Sequence, residues 1–245
     1  MRFFKEIFAR IWALWGILTF IATFFIIFIP AMLTYLLPDP VSARIFTGIA
    51  RVWMTTWLFL IACPLRVRGK QYFEKGKAFI VTCNHNSLMD IPLSSPFIPG
   101  PNKTIAKKSF TKIPLFGWYY AKGSVLVDRN SERSRRKSFE DMKQVLRMGM
   151  HMCIYPEGTR NRGGEPLKKF YDGAFKLSVD TKAPVIPTVI FNTAKVLPLH
   201  KTFYFLPHRL EMHFLAPISP EGKTADQLKQ EVFSAMYNHY TQTKR

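Results

Sequence analysis

Hydrophobic residues are unevenly spread along the chain. From Ile11 to Leu37 there are 27 consecutive residues without a charge. A helix needs roughly 20 apolar residues to cross the hydrocarbon core of a bilayer. A secretory signal has a shorter apolar region, about 7 to 15 residues, followed by a small-residue cleavage site. No convincing cleavage site follows here, so the run predicts a retained membrane anchor. Pro30 sits deep in the run and predicts a kink or a split into two helices. A second apolar stretch, Ile45–Pro64, carries Arg51 as its one charge and contains Trp53 and Trp57. Two helices folded back on each other in the membrane interface fit this pattern as well as one spanning helix does.

After Pro64 the pattern shortens to alternating strands and helices. Leu65–Gly69 opens the globular part. Ala78–Cys83 predicts a buried strand, Asp90–Phe97 a short proline-containing helix or turn, and Thr104–Ala106 and Ser124–Val127 two further strands. Lys112–Ala121 reads as an aromatic, turn-rich segment. Phe139, Met142, Val145 and Leu146 share one helical face behind a cap at Asn130 or Ser131. Met152–Tyr155 predicts a strand and Gly173–Asp180 a helix. Val185–Phe191 predicts a strand too, but Pro187 inside it points to an edge or a bulge. Arg209–Leu215 alternates as a half-buried strand. Thr224-Ala225-Asp226-Gln227 has the form of a capping box, opening a helix whose stripe Leu228, Val232, Ala235, Met236 and Tyr240 predicts core packing. The class is α/β, a mixed β-sheet flanked by helices. It divides into N-terminal membrane-anchoring helices over 1–64 and an α/β domain over 65–245.

Charge adds a partner class. Lysine and arginine number 35 against 16 acids, a formal net charge of +19. The excess implies an anionic partner: a membrane surface, a phosphorylated substrate or nucleic acid. The apolar N-terminus and the absence of any nucleic-acid motif count against the last. Basic residues flank the apolar run on both sides (Arg2, Lys5, Arg10, then Arg44, Arg51, Arg66, Arg68), which favours a cytoplasmic face, such as that of a bacterial inner membrane. The basic helix face with Arg133, Arg135, Arg136 and Lys137 fits a solvated surface or a phospholipid-facing patch equally. Three cysteines without CxxC spacing fit a reducing compartment rather than a disulfide framework. The histidines lack metal-ligand spacing, so neither a metal nor a cofactor is expected.

Candidate chemistry lies after three of the strands. His85 and Asp90 are five positions apart, too far round a helix to face each other, so a turn between them is required. Such a pair gives a general base whose tautomer the carboxylate fixes. Alone, the two residues more readily describe a loop histidine beside a capping aspartate. Ser87 lacks the glycine-flanked elbow of a serine nucleophile. Gly123–Arg129 delivers Asp128 and Arg129 to a loop where the guanidinium can hold a phosphate bidentately, or simply form a strand-end salt bridge. Pro156-Glu157-Gly158-Thr159-Arg160 supplies an acceptor for a substrate hydroxyl, a close turn and a second guanidinium.

In this order the segments resemble the motifs of the 1-acyl-sn-glycerol-3-phosphate acyltransferase family. The first is Asn84-His85-(x4)-Asp90. The second is Gly123-(x3)-Val127-Asp128-Arg129. The third is Tyr155-Pro156-Glu157-Gly158-Thr159-Arg160, and the fourth Ala183-Pro184-Val185-Ile186-Pro187. Ala106-Lys107-Lys108-Ser109-Phe110 and Ile113–Trp118 resemble the family's link between its first two motifs. The resemblance spans roughly Arg66 to Leu215. Three departures stand out. Tyr155 replaces a usual Phe, Asn161 a usual Ser, and Phe170-Tyr171-Asp172-Gly173 lacks a usual lysine, with Lys168 and Lys169 just before it.

The resemblance implies a glycerolipid acyltransferase fold and an acyl transfer from acyl-CoA or acyl carrier protein to the sn-2 hydroxyl of 1-acylglycerol-3-phosphate. It makes His85 the base and Asp90 its orienting acid, with no acyl-enzyme. It assigns the glycerol phosphate to Arg129, Glu157, Gly158, Thr159 and Arg160. Asn84, Lys107, Lys108, Gly123, Asp128 and Pro156 would support them. Lysophosphatidate, the thioester donor and an anionic membrane surface are the implied partners. The alternative is the same chemistry on another lysolipid, such as a lyso-aminolipid.

Overall fold

A computed structural model describes residues 2–163 and 165–243. Two long helices come first. Helix α1 spans Arg2–Leu33 and α2 spans Val41–Leu60. Pro30 does not split the run: α1 continues through it and ends three residues later in a single 3-10 turn, Thr34–Leu36. The proline removes one backbone donor, and side-chain bonds hold the helix end instead. Thr34 Oγ1 donates to Ala31 O at 2.7 Å, and Ser42 Oγ of α2 donates to Thr34 O. Indole N–H groups lace α1 to α2: Trp57 to Gly16 O at 3.0 Å, Trp12 to Ile61 O at 3.1 Å, and Trp53 to Thr23 Oγ1 at 2.9 Å.

The remainder alternates β1 (Leu65–Arg68), β2 (Ile80–Cys83), α3 (Asp90–Phe97), β3 (Asn102–Lys107), α4 (Phe116–Lys122), β4 (Ser124–Val127), α5 (Glu132–Arg147), β5 (His151–Ile154), α6 (Gly173–Thr181), β6 (Val185–Phe191), α7 (Thr193–Val196), β7 (Leu210–Phe214) and α8 (Ala225–Thr243). The segment read as turn-rich thus holds a short helix, α4. Ser131 is the α5 cap, its Oγ accepting from Ser134 N at 3.2 Å. Both bonds of the expected capping box form: Gln227 N to Thr224 Oγ1 at 3.2 Å and Thr224 N to Gln227 Oε1 at 2.8 Å.

The seven strands form one mixed sheet, ordered β1-β7-β6-β2-β5-β3-β4. Strands β6, β2, β5, β3 and β4 run parallel; β7 is antiparallel to β6 and carries β1 parallel to itself. Successive strand residues divide between two cores, as the period of two requires. Val81, Cys153, Ile186 and Ile190 pack with α1, α2 and α3 on one face. Ile80, Met152, Val185 and Val189 pack with α5, α6 and α8 on the other.

Strands β6 and β7 each correct an expectation. Strand β6 is not an edge: every residue is buried and strands flank it on both sides. Pro187 lies where the β6–β7 ladder ends at Thr188↔Phe214: its carbonyl still accepts Leu215 N at 2.8 Å, and no further β6–β7 pair follows that would need its missing N–H. Strand β7 is buried rather than half-buried, since α8 covers the face bearing His213, whose Nδ1 meets His239 Nε2 at 2.9 Å.

Helix α1 with its extension to Leu36 is long and apolar enough to cross a membrane. Its outward face exposes Phe25, Ile26, Ile29 and Leu33, and that of α2 exposes Val41, Val52 and Phe59.

Candidate active site

Because β2, β3, β4 and β5 are parallel, their C-terminal ends share one edge of the sheet. The crevice beyond such an edge is where open α/β sheets bind ligands. The loops that follow β2, β4 and β5 carry the first three sequence motifs, so the topology brings them together.

The segment after β2 turns sharply. Asp90 is the first residue of α3 and is fully buried. Its Oδ2 accepts from Asn86 N at 2.6 Å and Ser87 N at 2.7 Å, and meets His85 Nδ1 at 2.8 Å. One carboxylate oxygen therefore shapes the turn and orients the imidazole. The His85 ring is 13% exposed and lines a cavity of about 1560 Å³. No described residue hydrogen-bonds its Nε2. Ser87 Oγ is occupied, donating to Leu197 O at 2.8 Å and accepting from Met89 N at 3.2 Å.

The loop after β5 wraps the histidine from three sides. The Tyr155 ring lies on the imidazole with centroids 4.4 Å apart, and its hydroxyl donates to Ser94 Oγ of α3 at 2.8 Å. Asn161 N donates to His85 O at 2.6 Å. Glu157 Oε1 accepts the His85 backbone N–H at 2.8 Å, and its Oε2 accepts Lys168 N at 3.1 Å. Glu157 is thus buried beneath the site and does not reach the cavity, which corrects its expected role as a ligand of substrate hydroxyl. Burial pushes its carboxyl up to about 7, against the two backbone donors and Lys168, which pull it down.

Arg129, Gly158, Thr159 and Arg160 line the cavity. Arg129 Nη1 donates to Gly158 O, which ties the loop after β4 to the loop after β5. Gly158 has φ +69°, and a Cβ there would come within 2.8 Å of the Tyr171 ring, so both conformation and space call for glycine. Thr159 Oγ1 receives Lys168 Nζ at 2.8 Å.

The supporting residues divide. Lys107 and Asp128 line the cavity, and Asp128 Oδ1 caps Asn130 N at 3.1 Å. Lys108 lies in an exposed turn outside the wall. Pro156 is buried behind the loop, its carbonyl accepting Tyr171 N at 2.8 Å. Asn84 is buried and bonds both backbone groups of Ile190, to O at 3.0 Å and from N at 2.6 Å, pinning the end of β2 to β6. Gly123 admits α2: a Cβ would sit 2.8 Å from Phe46 Cε1.

Sequence reasoning did not find the other half of the cavity. Gly16 and Phe20 of α1, Trp53 and Trp57 of α2, and Phe203 and Phe205 of the loop before β7 give the cavity an apolar wall in addition to the cationic loops. No local pattern marks these residues; the docking of the hairpin on the sheet brings them there.

Comparison with known proteins shows the family of the chain. An acyltransferase family model matches residues 64–191, just over half of the chain. The 1-acyl-sn-glycerol-3-phosphate acyltransferase of Saccharomyces cerevisiae is 29% identical over 185 residues, 73% of this chain and 59% of that protein. The Cocos nucifera protein of the same name is 28% identical over 187 residues, 76% and 56% respectively. The chain spans less than two thirds of the length of these curated relatives. The crystal structure of the 1-acyl-sn-glycerophosphate (LPA) acyltransferase PlsC from Thermotoga maritima superposes with a TM-score of 0.80 at 25% identity, covering all of this chain and 98% of that one. Sequence motifs, sheet order and family match converge, and the chain belongs to the acyltransferase family.

Proposed function

We propose that the chain transfers an acyl group from acyl-CoA or acyl carrier protein to the sn-2 hydroxyl of 1-acylglycerol-3-phosphate, forming phosphatidic acid. The observation that carries this reading is the position of His85. Its Nδ1 is held by Asp90, and its ring lines a cavity whose walls combine cationic side chains with apolar ones. A lysophospholipid has that same polarity.

The chemistry follows from the tautomer. With Nδ1–H donated to Asp90, Nε2 carries the lone pair and takes the proton from the attacking hydroxyl. The oxygen adds to the thioester carbonyl. The tetrahedral intermediate collapses, the C–S bond breaks, and the imidazolium returns the proton to the departing thiolate. Asp90, buried and held by the Asn86 and Ser87 backbone N–H groups, stabilises the imidazolium in between. Direct transfer is favoured because Ser87, the hydroxyl nearest in sequence, is committed to Leu197 and Met89.

Arg129 and Arg160 hold the phosphate in this reading, and Glu157 holds the histidine rather than the lipid. The exposed apolar faces of α1 and α2 embed the hairpin in the membrane, with the basic domain on the cytoplasmic side. The wall of Gly16, Phe20, Trp53 and Trp57 then opens toward the acyl chains.

The test is incubation of the full chain in vesicles with acyl-CoA and a panel of lysolipids, with product masses measured. Phosphatidate from lysophosphatidate should dominate. Equal turnover of a lyso-aminolipid lacking phosphate would contradict the assignment of Arg129 and Arg160.

A further inference from the structure

The cavity holds more positive charge than one lipid phosphate requires. Lys107, Arg129, Arg160, Arg162, Lys168 and Lys169 line it, against Asp128 and Glu165. A phosphate monoester carries at most two negative charges, about what Arg129 and Arg160 neutralise. The space is also larger than one ligand needs: about 1560 Å³, where a single small-molecule site takes roughly 300 to 1,000 Å³.

Three of the four further cations, Arg162, Lys168 and Lys169, sit on one built segment between Asn161 and Lys169. Its start is fixed where Asn161 N donates to His85 O at 2.6 Å. Its end is fixed where Lys168 N donates to Glu157 Oε2 at 3.1 Å. Between them the Asn161 side chain organises the turn, accepting from Gly163 N at 2.9 Å and donating to Glu165 O at 2.9 Å. A serine at this position would be too short and too poor in donors to make both bonds. The segment is therefore clamped to the catalytic turn at both ends. Its cations line the same cavity as the apolar residues that α1 and α2 contribute.

We infer that Arg162 and Lys169 form a second anion subsite, which takes the diphosphate and 3′-phosphate of a coenzyme A thioester while Arg129 and Arg160 take the lysolipid phosphate. The inference rests on the acyl-transfer reading above. The subsite leaves the thioester carbon beside His85 and gives the two substrates separate electrostatic handles. Asn161 is a positioning residue for it.

Acyl-CoA and acyl-pantetheine share the thioester but differ in the nucleotide, so comparing them isolates the subsite. The variants are Arg162→Glu with Lys169→Glu, and separately Asn161→Ser. In the wild-type chain, KM for acyl-CoA should lie well below that for acyl-pantetheine and should rise with ionic strength. In the double variant, KM for acyl-CoA should rise about tenfold or more, its salt dependence should flatten, and KM for lysophosphatidate should move less than twofold. Asn161→Ser should reproduce the donor effect more weakly. A loss of equal size for both donors overturns the inference, as does a rise confined to lysophosphatidate. So does an effect that follows the anionic lipid content of the vesicles rather than the donor, since the segment would then bind headgroups. Absence of any transfer by the wild-type chain would refute the acyl-transfer reading instead, and so is distinguishable. Thermal unfolding of each variant separates misfolding from lost binding.

Discussion

The Glu157 carboxylate accepts the backbone N–H of His85 at 2.8 Å. A residue from the third motif thereby fixes the main chain of the first. Its other oxygen holds Lys168 N, so one buried side chain joins the catalytic turn to the cationic segment. Glu157→Gln offers one acceptor and one donor where two acceptors are needed. One backbone N–H is left unsatisfied, at a cost of about 1–3 kcal/mol. Steady-state kinetics should show kcat falling about tenfold with little change in KM for lysolipid. A rise in KM alone would return Glu157 to the substrate.

The same carboxyl makes stability depend on pH. Its pKa is raised from 4.5 to about 7, chiefly by burial. Between those values the folded chain keeps a proton that the unfolded chain has released. Stability therefore falls as pH rises from about 4.5 to 7, by up to about 3 kcal/mol, and levels off above. Unfolding of wild type and Glu157→Gln across this range should give a stability difference that shrinks with rising pH. A constant difference would mean Glu157 does not titrate there.

Tyr155 separates ring from hydroxyl. Its ring covers the imidazole at 4.4 Å and its hydroxyl reaches Ser94 at 2.8 Å. Tyr155→Phe keeps the stacking and should retain activity within about threefold, losing roughly 0.5–1.5 kcal/mol of stability. Tyr155→Ala uncovers the histidine and should lower kcat by an order of magnitude or more. Comparable rates for the two variants would show that the ring does not position His85.

Gly123 sets how closely α2 approaches the sheet. Gly123→Ala places a methyl 2.8 Å from Phe46 Cε1, and overpacking of this kind costs about 1–3 kcal/mol. Phe46→Leu in the same chain should recover most of that loss, read as thermal midpoint. No recovery would mean the strain lies elsewhere.

Local signals in the sequence located most elements. Ser124–Val127 is the observed β4, and Ser131 and the Thr224–Gln227 box cap α5 and α8 as their side-chain chemistry dictates. Pro187 misled because a strand's neighbours, not its own residues, decide whether a missing N–H matters. His85 and Asp90, ambiguous alone, were legible as a pair only beside the other motifs, although their bond closes within five residues. The role of Glu157 was not, since its partner His85 is brought to it by the parallel order of β2 and β5. The apolar wall was hidden for the same reason: Phe20 and Trp57 read as membrane anchor, yet they line the cavity.

The central claim is that His85, oriented by Asp90, is the base. Its direct measurement is the rate of phosphatidate formation by His85→Ala in vesicles, with the fold checked by thermal unfolding. General bases contribute about 10²- to 10⁴-fold, so the rate should fall to about 1% of wild type or lower while the chain stays folded. Residual transfer above about a tenth of the wild-type rate would contradict the account.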